Sequence, residues 1–189
     1  MEIVFRNISI VIKDVIVHPK AFWRSQKELS ENQPTLFLGY FFPLVIIVSL
    51  GEFLGEFTGN QHFYVGYAAL KFLRVIILFT LQYFIAVFMT NELVKPFGGK
   101  KNLVDIQKLI VYSLTPFLLS SFISALFPFL YIIDILGLYS FYIFWIGVHE
   151  LIDFPERNKN RYILNAILVN IFIFGFLSIS LSKLLMAYM

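Results

Sequence analysis

The chain has 189 residues, of which 59% are hydrophobic and only 14% charged, and its mean hydropathy is +0.79. A domain of this length keeps too much of its surface wet to bury so much apolar side chain, so lipid must supply the missing interior. This composition excludes a soluble enzyme and a disordered chain, and fifteen Lys and Arg against twelve Asp and Glu, a net charge of +3 with no long basic run, exclude a conventional nucleic-acid binder. Cysteine is absent, and with it disulfides, thiolate metal sites, thiol nucleophiles and palmitoylation.

At the amino terminus Arg6, Lys13 and Asp14 interrupt any signal-peptide layout, so the first hydrophobic span is expected to direct targeting. Val4, Ile8, Val11, Ile12, Val15 and Ile16 follow helical spacing while Glu2, Arg6, Ser9 and Lys13 line another face. Their Ile and Val content also suits a strand; the reading taken is an interfacial amphipathic helix. His18-Pro19-Lys20-Ala21-Phe22-Trp23 follows, with a helix stop, basic groups and an aromatic suited to a membrane-surface anchor.

Crossing ~30 Å of hydrocarbon takes about 20 apolar residues in a helix, and five stretches meet that length. The expected spans are about 35–57, 72–92, 107–127, 129–149 and 162–184, which divides the chain into a cytoplasmic interfacial segment, 1–34, and a five-helix transmembrane domain, 35–189. Pro34 suits the first helical position of the first span, and Pro128 marks the hairpin between the third and fourth. The fold class is therefore an all-α polytopic membrane bundle. Arg6, Lys13, Lys20, Arg24, Lys27, Lys95, Lys100, Lys101, Lys108, Arg157, Lys159 and Arg161 fall on one face, whereas only Lys71, Arg74 and Lys183 fall on the other. That asymmetry places the amino terminus inside and the carboxyl terminus outside.

Within the spans, Gly51, Gly55 and Gly59 form a stripe that lets a neighbouring helix approach closely. Glu52 and Glu56 share one face of the same helix, where two like charges need a proton, a cation or a base. Lys71 and Arg74 begin the next span on that side, and Asp134 enters the fourth span at a similar depth. These five charged residues are read as an intramembrane polar cluster, either a structural ion-pair group or a proton or cation site. As a metal site, Glu52, Glu56 and Asp134 would offer oxygen ligands for a hard cation, with His62 a further donor. On the inner side His149, Glu150 and Asp153 read as solvated helix-end anchors.

Pro43 and Pro116 should kink their spans by freeing the carbonyls of Gly39 and Tyr112. Near the second kink, Ser113, Thr115, Ser120, Ser121 and Ser124 can satisfy loosened backbone or line a polar path. Asn165, Asn170, Ser178 and Ser182 give the fifth span a comparable seam, expected to face the third. Gly98-Gly99-Lys100-Lys101 lacks the spacing of a phosphate loop and reads as an inner turn. No set of Ser, His and Asp stands at one depth to do nucleophilic chemistry, so no catalytic residue and no cofactor is expected.

Pro19-Lys20-Ala21-Phe22-Trp23, Gly98-Gly99-Lys100, Tyr112-Ser113-Leu114-Thr115-Pro116 and Leu138-Tyr139 to Gly147, taken in order, resemble the Yip1 family over nearly the whole chain. The resemblance implies a five-span architecture with a cytoplasmic amino terminus. Eukaryotic members are integral proteins of secretory vesicles that contact Rab GTPases; prokaryotic members share the topology without an established activity. This chain lacks the long polar amino-terminal extension of many eukaryotic members, which favours a bacterial plasma membrane. The expected function is a non-enzymatic membrane-organising or interaction scaffold, with the bilayer, a membrane or cytoplasmic protein, and the chain itself as partners. The competing class is a small channel or carrier for protons or cations that uses the outer carboxylates.

Overall fold

A computed structural model describes residues 2–28, 36–59 and 63–187, and every regular element among them is helical. Among the described residues five helices are long and apolar enough to cross a membrane: Phe37–Thr58, Val65–Phe97, Leu103–Leu126, Pro128–Leu151 and Arg157–Ala187. Two shorter helices, α1 (Glu2–Val17) and α2 (Pro19–Glu28), precede them. Pro34 and His62 lie outside the described residues.

The helical spacing read in α1 shows in its burial, since Ile8 and Val15 are buried while Ser9 and Lys13 are exposed. His18 interrupts the helix, and Pro19, whose missing N–H is no loss at a first position, starts α2. The Tyr139 hydroxyl donates to Ile16 O at 3.0 Å near the middle of the fourth span, so α1 reaches along the flank of the bundle.

Each proline kink takes a different form. Ahead of Pro43, residues Phe37–Phe41 wind as a π-helix, and the Phe42 amide donates five residues back to Phe37 O. Widening the coil by one residue is how this span absorbs the missing donor. Around Pro116 the third span breaks at Leu114 into Leu103–Ser113 and Thr115–Leu126. The Phe117 amide there donates to Ser140 Oγ of the fourth span at 3.0 Å, so a hydroxyl on a neighbouring helix satisfies the loosened backbone.

The chain reverses at Phe127, and the fourth span opens in 3-10 coil within Pro128–Leu138, broken by a kink at Leu130 (φ −96°, ψ 24°), before continuing as an α-helix, Tyr139–Leu151. That slender coil lies tightly on the third span. A Cβ built on Gly137 would sit 2.7 Å from Phe117 Cδ2 and 2.9 Å from Ser120 Oγ.

Lys71 and Arg74 do not begin the second helix, which starts at Val65 and carries both charges inside its length. The fifth span packs chiefly on this second helix, with little contact to the fourth. Asn170 donates to Thr90 Oγ1 at 3.1 Å, Gln82 donates to Asn170 O at 3.4 Å, and Ser178 accepts from Arg74. Asn170 and Ser178, expected to face the third span, thus face the second, and Asn165 is exposed and bonds its own helix at Arg161 O.

Candidate functional site

Two assemblies gather the residues singled out in the sequence, one at the basic face and one opposite. At the basic face Trp23 is wholly buried, its indole N–H donating to Ile143 O at 3.1 Å. This corrects the expectation of an interfacial anchor: the ring is consumed by packing within the protein. Phe22, Trp23 and Tyr112 meet edge to face, with centroids 4.8–5.9 Å apart. Gly147 provides the floor, where a Cβ would lie 2.8 Å from the Trp23 ring.

Charges complete the clamp. Arg24 pairs with Glu150 at 3.3 Å and Lys27 with Asp153 at 3.6 Å, so these acidic groups tie α2 to the end of the fourth span rather than serving only as solvated anchors. Lys108 is buried in the third span and its ammonium donates to Gln26 O at 2.8 Å, a cation against the last turn of α2. Sequence spacing gave no hint of this, because Lys108 looks like one more loop-end lysine.

The remaining motif residues hold turns and helix contacts. Gly98 adopts φ +84°, a conformation other residues rarely accept, and a Cβ on Gly99 would meet Phe154 at 2.5 Å. Asn158 donates to Phe97 O at 3.1 Å, binding this turn to the start of the last span. Thr115 shares a 2.9 Å hydroxyl bond with Tyr40, and Pro116 is buried beside it.

On the opposite face Glu56 is buried and forms an ion pair with Lys71, whose ammonium also stands 5.0 Å from the Tyr67 ring centre. The other members part company. Arg74 donates to Ser178 Oγ and O at 3.3 and 3.4 Å, Asp134 is exposed and accepts from Ser124 at 2.6 Å, and Glu52 is half-buried. Among the described residues no three of His, Cys, Asp and Glu come together as a metal-holding group, so Glu52, Glu56 and Asp134 do not converge.

The glycine stripe lies on the third span. A Cβ on Gly51 would be 2.9 Å from Phe122 Cδ2, and one on Gly55 would overlap the Ala125 carbonyl oxygen. Thr58 fastens the same contact by donating to Leu126 O at 2.8 Å. The surroundings of Gly59 lie outside the described residues.

The buried carboxylate sets a testable cost. Glu56→Lys places two cations together and should lower stability by about 3 kcal/mol or more, the scale of a broken buried pair. Adding Lys71→Glu restores opposite charges and should recover most of that loss. Thermal melting of the single and double variants in detergent checks both.

The Yip1 domain family model matches residues 13–179, which takes in α2, the clamp, both kinks, the first four spans and most of the fifth. No curated protein and no solved structure matches the chain. With the family model covering most of the sequence and the motif residues placed in one connected bundle, the chain belongs to the Yip1 family.

Proposed function

We propose that this Yip1 protein is a non-enzymatic scaffold that organises membrane and protein partners. It sits in the cell membrane with its amino terminus cytoplasmic and its carboxyl terminus outside. One observation carries the reading: the motif residues Phe22, Trp23, Tyr112 and Gly147 are spent on holding α2 against the third and fourth spans. Clamped this way, α2 presents an exposed face with Lys20 and with Arg24 and Lys27 paired to Glu150 and Asp153, a fixed charged surface. A fixed surface suits docking of a cytoplasmic or membrane protein, or of a second copy, better than it suits turnover. The Lys and Arg asymmetry supports the orientation.

The carrier reading draws less support, because Glu56 is engaged with Lys71. Reconstitution separates the two. Vesicles containing the protein should pass protons and monovalent cations no faster than protein-free vesicles. Flux that depends on Glu52 and Glu56 would overturn the scaffold in favour of the carrier.

A further inference from the structure

A cleft of about 310 Å³ opens between the fourth and fifth spans, where those helices scarcely touch, and its floor is the second and third spans. Its walls are almost entirely apolar, with Phe141 and Phe144 on one side and Ile171 and Phe174 on the other. The floor holds Gln82 and Ser113, near the middles of their spans and only 3% and 4% exposed. Gln82 Oε1 and Ser113 Oγ have no hydrogen-bond partner among the described residues.

These oxygens define what the cleft lacks. The Gln82 amide nitrogen donates to Asn170 O, which can only accept, so Oε1 is left needing a donor. Ser113 Oγ can donate or accept. A buried polar atom without a partner is unfavourable, and lipid hydrocarbon cannot relieve it. One hydroxyl could donate to Gln82 and accept from Ser113. A phosphate headgroup fits poorly: among the described residues no Lys or Arg lines the cleft, and Asp134, which does, is acidic.

We propose that this cleft admits, laterally from the bilayer, a neutral lipid carrying a free hydroxyl. The tail lies between the aromatic walls and the hydroxyl meets Gln82 and Ser113. Both oxygens sit just beneath the lining, so binding includes a rotation of Ser113 about χ1 and a turn of the Gln82 side chain. The volume falls at the low end of small-ligand sites, enough for one chain segment and its hydroxyl rather than a whole two-chain lipid.

The test uses the full chain in phosphatidylcholine nanodiscs with a diazirine-bearing hexadecanol and its methyl ether. The alcohol should label peptides containing Phe141–Phe144 or Ile171–Phe174 at least tenfold more than the ether. Ile171→Trp, at a half-exposed wall position, should abolish that labelling while leaving the melting temperature near wild type, and Ser113→Ala should narrow the alcohol's advantage. Competition by unlabelled hexadecanol and by diacylglycerol tells a single-chain alcohol from a two-chain source. Equal labelling by alcohol and ether in the wild-type protein, or labelling spread over the lipid-facing surface, would overturn the proposal.

Discussion

Gly55→Leu is expected to prevent the bundle from closing. The third span passes so near that even a Cβ at this position would overlap the Ala125 carbonyl oxygen and stand 3.0 Å from its carbon. A flexible side chain can swing away from such a contact; a helical carbonyl cannot move without its helix. Overpacking a core costs about 1–3 kcal/mol when side chains can adjust, and this site belongs at or above the top of that range. Separating the helices would also break the Thr58 bond to Leu126 O. Gly39, Gly66 and Gly175 supply the controls, since no described residue lies within 4 Å of a Cβ built on any of them. Leucine at Gly175 should leave melting in detergent unchanged, while Gly55→Leu should yield aggregated protein or a melting temperature lower by many degrees. A Gly55→Leu protein that melts like wild type would place the stripe against lipid.

Trp23→Ala is expected to release α2 from the bundle. Removing a fully buried indole costs about 3–5 kcal/mol through lost burial and the cavity left behind. Besides Trp23, α2 is held by buried Phe22 and the Lys108 bond to Gln26 O, while its two ion pairs involve exposed side chains, each worth about 1 kcal/mol or less. Undocking therefore competes with unfolding of the whole, and residues 2–28 should become open to protease while the five spans stay folded. Tryptophan emission offers a second readout, because the chain contains only Trp23 and the half-exposed Trp145. In a Trp145→Phe background, Trp23 should emit in the blue and resist acrylamide, and it should lose both properties if α2 is displaced. Trp23→Phe keeps most of the apolar volume and should retain docking.

The spans were legible because crossing hydrocarbon is a local demand on composition and length, satisfied within each segment without reference to the others. The Pro128 reversal and the Gly98 turn were legible for the same reason, being written in backbone chemistry. Neighbour relations were not. In lipid an apolar side chain is comfortable facing either a helix or the bilayer, so no hydrophobic stripe tells which face of the fifth span meets which partner. Asn170 and Ser178 marked a seam, yet only the folded chain shows Thr90, Gln82 and Arg74 of the second span across from them. Trp23 misled because an aromatic beside basic residues is common at headgroups; the small residue that makes room for it, Gly147, lies 124 positions away. Lys108 was hidden likewise, since its partner is the end of another helix.

Side-specific labelling tests the central claim, five spans of the stated order and orientation, most directly, and the natural absence of cysteine makes it clean. Single cysteines at Lys100 and Arg157 mark the face with α2, and those at Tyr64 and Lys183 mark the opposite face; all four positions are exposed. A membrane-impermeant maleimide added to intact cells should label Tyr64→Cys and Lys183→Cys but reach Lys100→Cys and Arg157→Cys only after the cells are opened. Labelling of Lys100→Cys in intact cells, or of Tyr64→Cys only after opening, would contradict the orientation, and Lys100 and Arg157 on different sides would contradict the span order itself.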